Sequence, residues 1–96
     1  MAEVIYTQHA LKDIDRLESF LLEVDLPAAQ KTIPLILSAI EALCLHPEIG
    51  RRRNGLTREL VISRGKTGYI ALYRYDEIRD VARVLAIRHQ RELGEI

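Results

Sequence analysis

The sequence predicts an α+β domain: a short N-terminal edge strand, then an antiparallel two-helix hairpin packed on a three-stranded antiparallel meander. Apolar residues recur at steps of three and four as far as about His46, then shift to extended runs from Arg58 onward. Turn-forming residues fall between these segments, at Asp25-Leu26-Pro27, at Pro47 and Gly50, and at Gly65 and Gly68. At 96 residues, with 48% hydrophobic and 29% charged residues, the chain has room for one core, so it reads as a single domain over 1–96. That composition excludes a core-poor disordered chain.

Val4-Ile5-Tyr6 opens as an extended edge segment. Thr7 can cap a first helix, in which Ala10, Leu11, Ile14, Leu17 and Leu21 build one apolar stripe to about Val24. Pro27 suits the first turn of a second helix capped by Asp25 or Leu26, and a joint this short makes the two helices antiparallel. Pro47 and Gly50 end the second helix near His46. Pro34 lies inside it, which predicts a kink or a helix that begins in earnest only there. Arg58 to Ser63, Gly68 to Tyr75 and Val81 to Ile87 then read as three strands joined by short turns. No internal repeat, low-complexity stretch or linker interrupts this order.

Residues 33–45 contain only Glu41 as a charge and Ser38 as another polar residue. Ile33, Ile36, Ile40 and Cys44 fit one stripe, while Leu35, Ala39, Ala42 and Leu43 lie elsewhere around the cylinder, and Phe20, Leu22 and Val24 fall outside the stripe of the first helix. That girth exceeds what one small sheet covers, so a partner or self-association is expected.

The formal net charge is zero, but it is divided along the chain. Residues 1–48 carry three basic against eight acidic residues, a net −5; residues 49–96 carry eleven against six, a net +5. The second half is therefore suited to an anionic or acidic partner, unless the two halves attract each other.

Several chemistries find no support. Gly65-Lys66-Thr67 ends like a phosphate-binding loop, but Leu60 occupies the position of the required earlier glycine and a strand follows. Cys44 is the only cysteine, which excludes an internal disulfide and fits a reducing compartment; with His46 it makes no ligand set, so no metal or other cofactor is expected. No Gly-x-Ser-x-Gly motif is present. Nor is there a signal peptide or an apolar run long enough to span a bilayer, so a soluble, cytoplasmic protein is expected. What remains is a basic and aromatic set on the last strands: Arg58, Arg64, Lys66, Tyr69, Tyr73, Arg74, Tyr75, Arg88, His89 and Arg91. Alternation puts Tyr69, Tyr73 and Tyr75 on one face of the middle strand and Ile70, Leu72 and Arg74 on the other. Arginines grip phosphates, tyrosines stack on bases and a histidine moves protons, so His89, Glu59, Arg74 and Arg91 are the candidates for metal-independent RNA cleavage.

The order of elements resembles the RelE/ParE superfamily of type II toxin-antitoxin toxins, also known as plasmid stabilization proteins. Pro47-Glu48-Ile49-Gly50-Arg51, Arg58-Glu59-Leu60, residues 68–76 (GYIALYRYD) and residues 84–91 (VLAIRHQR) carry the similarity, which spans roughly residues 3 to 93. The resemblance implies a RelE/ParE-like fold and a toxin held inactive by a cognate antitoxin that wraps the helical hairpin and a sheet edge. Leu17, Leu21, Leu35, Ile36, Ala39, Ile40 and Leu43 are the expected antitoxin contacts. The effector surface would comprise Arg58, Arg64, Lys66, Tyr73, Arg74, Tyr75, Arg88, His89 and Arg91.

The superfamily divides by target. RelE-like members cut mRNA on the ribosome, and ParE-like members poison DNA gyrase without being enzymes. Where RelE-like members carry a catalytic arginine after the aromatic of the Gly-Tyr strand, this chain has Ile70, and the Tyr73-Arg74 pair and His89-Gln90-Arg91 ending look more ParE-like. Gyrase is accordingly the expected target and the ribosome with mRNA the alternative; a non-toxic adaptor that only binds protein is a third reading. A homo-oligomer or a toxin-antitoxin hetero-oligomer is the implied assembly, with no membrane partner.

Overall fold

The computed structural model describes residues 1–63 and 68–89. Strand β1 (Glu3–Tyr6) leads into helix α1 (Gln8–Val24), helix α2 (Leu26–Glu41) and a single 3-10 turn (Ala42–Cys44). Strands β2 (Arg51–Asn54), β3 (Thr57–Val61), β4 (Tyr69–Asp76) and β5 (Val81–His89) complete one sheet in the order β1-β5-β4-β3-β2. β1 runs parallel to β5, and the other neighbours are antiparallel. The expected two-helix hairpin, edge strand and meander are present, but β2 makes the meander four-stranded rather than three-stranded.

Single residues set the helix ends. The Thr7 hydroxyl oxygen accepts from the Ala10 N–H at 3.1 Å and donates towards the Val84 and Leu85 carbonyls at 3.0 and 3.2 Å, so one side chain starts α1 and ties it to β5. Asp25 alone joins the helices: its N–H donates to the Leu21 carbonyl at 2.7 Å, and its carboxylate accepts from the Ala28 N–H at 3.1 Å. α2 begins at Leu26 and passes through Pro34 without starting there. Pro34 and Gln30, whose carbonyl loses its partner to the ring, are both exposed, on the solvent side of the helix. Beyond Glu41 the coil tightens, and the Leu45 and His46 N–H groups both return to the Ala42 carbonyl before Pro47 ends the run.

Tyr73, Ile36, Ile40, Leu43, Ile87 and Val84 are fully buried, each worth about 1.5–3 kcal/mol by transfer from water. Tyr69, Ala71 and Tyr73 of β4 point into this core beneath the helices, and Tyr75 packs against it. By alternation Ile70, Leu72 and Arg74 belong to the opposite, outer face of the sheet. Tyr73 also fastens the entry to β2, its hydroxyl accepting from the Gly50 N–H at 2.8 Å. A Cβ on Gly50 would sit 2.6 Å from that ring, so only glycine fits. Gly55, at φ +50°, makes the tight turn between Asn54 and Thr57.

Candidate functional site

Two surfaces emerge: the exposed side of the helical hairpin and the outer face of the sheet. On the hairpin, Leu17, Leu21, Ile36, Ile40 and Leu43, expected to touch a partner, are buried in the protein's own core. Of the expected contacts only Leu35, at 52% exposed, and half-buried Ala39 remain within reach. The apolar surplus is real but sits elsewhere, on Leu11, Phe20, Leu22, Val24, Leu26 and Leu37, all exposed.

On the sheet, cross-strand register shows which basic groups share a face. Thr57 faces Arg74 and Arg74 faces Arg83, while Arg51 faces Glu59 and Glu59 faces Leu72, so these side chains lie on the outer face. Arg51 is bonded to the Glu59 carboxylate, and Arg53 lies within 4.0 Å of it. Arg74 is exposed and donates from Nε to the Thr57 hydroxyl at 3.2 Å. The three arginines of β2 and Arg83 were absent from the expected effector set.

Other members of that set hold structure instead. Tyr73 is buried and occupied by Gly50. Arg58, facing Tyr73 on the helix side, clamps the chain before β2, donating to the Glu48 and Gly50 carbonyls at 3.0 and 2.8 Å and to the Glu48 carboxylate at 3.3 Å. Arg88 is drawn to Asp13 at 2.6 Å and lies 2.9 Å from His9 Nε2. His89 meets Tyr69 edge-on, with ring centroids 5.3 Å apart. Arg64, Lys66 and Arg91 lie outside the described residues.

Among the described residues the nuclease candidates are not brought together. Arg83, which faces Arg74, is six positions from His89 along β5, about 20 Å of strand. Glu59 is bonded to Arg51 with Arg53 within 4.0 Å, and His89 belongs to the Tyr69 side of the sheet.

Tyr75 was also expected on the effector surface, but its hydroxyl donates to Asp80 Oδ1 at 2.5 Å. That bond, with burial adding to it, pushes the phenol up from 10.0 to about 12. Because the folded value lies above the unfolded one, this contribution to stability is complete below pH ~10 and is lost as pH rises through ~12. Asp80→Asn is expected to move the Tyr75 midpoint back towards 10.0, read by tyrosinate absorbance across an alkaline titration.

Cys44 donates to Glu41 at 3.5 Å; burial first, then that bond, raises the thiol and keeps it protonated at neutral pH. Among the described residues no cluster of His, Cys, Asp or Glu could hold a metal ion, and no helix is long and apolar enough to cross a membrane.

Residues 4–94 match the family described as ParE toxin of type II toxin-antitoxin system, parDE. The chain belongs to this family. Among curated relatives of this toxin, Toxin RelE3 of Caulobacter vibrioides is 39% identical over 93 residues, which cover 96% of this chain and 98% of the relative. Toxin RelE1 of the same organism is 35% identical over 71 residues, covering 74% and 76%. In fold, the toxin superposes on a chain of the chromosomal ParDE system from P. aeruginosa with a TM-score of 0.76 at 20% identity, covering 93% of this chain and 96% of that one. A chain of the intact E. coli RelBE toxin-antitoxin complex follows at 0.68 and 14%, with the same coverage. These likenesses place the toxin in the RelE/ParE superfamily and bear out the resemblance carried by its strands.

Proposed function

We propose that this toxin is held in the cytoplasm by a cognate antitoxin seated on the exposed hairpin, and that once free it poisons DNA gyrase by binding rather than catalysis. The arginine-bearing sheet face carries the reading. Its described arginines are arrayed for contact, yet the carboxylate among them is already bonded to Arg51 and no histidine joins them. Cleavage of RNA needs a base and an acid at one phosphodiester; Arg74 and His89 lie too far apart to serve one. The family match over residues 4–94 supports a toxin of a type II toxin-antitoxin system, and the exposed apolar residues of α1 and α2 supply the area that an antitoxin helix would bury.

The names of the curated relatives favour a second reading, a RelE-like ribosome-dependent endoribonuclease. Inducing the toxin alone, with gyrase and mRNA followed in parallel, separates the two. The expected result is accumulation of gyrase-DNA cleavage complexes with intact mRNA, and Arg74→Ala is expected to weaken toxicity about tenfold, ~1.4 kcal/mol of binding. Cuts in A-site mRNA with normal supercoiling would transfer the case to the nuclease. Unchanged growth would leave only a protein-binding adaptor.

A further inference from the structure

The turns β2–β3 and β4–β5 end the sheet side by side, and each presents an aliphatic residue to water. Leu56 is 70% exposed and Ile78 is 97% exposed, where turn chemistry favours small or polar residues. Between them Arg74 and Arg83 stand directly opposite each other on the outer face. Like charges in that relation destabilise a strand pair. Arg74 spends only Nε on Thr57, and among the described residues Arg83 has no hydrogen bond or ion pair. These four side chains line one shallow cavity of about 420 Å³, with Tyr75, Asp76 and Glu77 at its rim.

The chemistry of the rim selects the occupant. Tyr75 is half-buried and packs against the core, so little of its ring is left for a base. Asp76, half-buried, is fixed by accepting from the Ile78 and Arg79 N–H groups at 3.0 and 3.1 Å, and Glu77 adds an exposed carboxylate. A run of phosphates would meet both acids. A single carboxylate between aliphatic side chains would meet two guanidinium forks and two apolar walls, the composition of a protein-protein contact.

We propose that this groove docks a short segment of the toxin's protein target in which an Asp or Glu is flanked by aliphatic residues. The proposal rests on the reading of the toxin as a protein-binding poison and names the part of its surface that does the binding.

Two measurements on the full chain separate the groove from the identity of the target. In the first, the isotope-labelled protein is titrated with a short peptide carrying one glutamate among leucines and, separately, with a short single-stranded oligonucleotide. The peptide is expected to shift the Leu56 and Ile78 amides and the Arg74 and Arg83 Nε–H signals. Arg83→Glu is expected to weaken peptide binding about tenfold or more without lowering the thermal midpoint, because a glutamate opposite Arg74 replaces a like-charge pair with an opposite-charge one. Tighter binding of the oligonucleotide at these residues, no shift with the peptide, or an unchanged affinity in Arg83→Glu would overturn the groove.

In the second, a photo-crosslinking side chain replaces Ile78 and the protein is mixed with purified gyrase subunits. Crosslinks that Arg83→Glu abolishes support groove and gyrase together. Peptide binding without gyrase crosslinks keeps the groove and removes gyrase, whereas gyrase binding that is indifferent to Arg83→Glu keeps gyrase and removes the groove.

Discussion

Ile36→Asp is expected to leave the isolated toxin without a cooperative thermal transition, whereas Leu35→Glu, one residue earlier, leaves the transition in place and costs antitoxin affinity. Ile36 is 1% exposed and packs in the central cluster, so the substitution forfeits about 1.5–3 kcal/mol of apolar transfer. It also places an unpaired carboxylate in the core, at a cost of several kcal/mol more. A domain of this size has only about 5–15 kcal/mol to lose. Leu35 lies 52% exposed on the same helix, and glutamate is nearly as good a helix former as leucine. Its effect on stability should stay within about 0.5 kcal/mol. Against an antitoxin buried on the hairpin, a charge at that position should weaken binding at least tenfold, about 1.4 kcal/mol or more. Circular dichroism melts and titration calorimetry with the antitoxin check the two arms. Unaltered affinity in Leu35→Glu would move the antitoxin to another surface.

The contrast between these neighbours shows how far the sequence could be read. The stripe Ile33, Ile36, Ile40 was visible in the spacing and is the core face of α2, and Leu35 off it is exposed; beyond Glu41 the tightened coil breaks the pattern, so Leu43, expected off the stripe, is fully buried while Cys44, expected on it, is half-buried. Within α2 periodicity therefore separated inside from outside, but an expectation of partner contacts drew Ile36 and Ile40 into the wrong set. Thr7 and Asp25 were legible because capping is local, needing only a side-chain oxygen and an amide three residues on.

β2 was not legible. Arg51-Arg52-Arg53-Asn54 has neither branched residues nor alternation, and its extended form depends on pairing with β3, the Gly55 turn and the Arg58 clamp on the Glu48 and Gly50 carbonyls. Alternation on β4 correctly put the three tyrosines on one face, but only packing decides that this face is the inner one. Likewise, nothing in a list of arginines separates a free one from a tethered one. Arg88 is tethered by Asp13, 75 positions away.

That tether carries the largest polar effect expected in the protein: Asp13→Ala should lower the unfolding free energy by about 3 kcal/mol. β1 pairs with β5 only as far as Val84, and Thr7 takes the next carbonyls, so the far half of β5 has an open edge. Asp13, reaching down from α1 and 5% exposed, closes it: its Oδ2 accepts from the buried Ile87 N–H at 2.9 Å and from Arg88 at 2.6 Å. Alanine would orphan that N–H, worth about 1–3 kcal/mol, and leave the partly buried Arg88 cation without its counter-charge. For a domain of this length the loss corresponds to a fall of roughly 10–20 °C in melting temperature. Asp13→Asn keeps an acceptor for Ile87 while removing the charge, and should recover about half of the loss. Amide exchange at Ile87 should accelerate in the alanine variant well before exchange at Val84, whose strand partner is untouched. Were Asp13→Ala to cost less than about 0.5 kcal/mol, the edge of β5 would be closed by something other than this carboxylate.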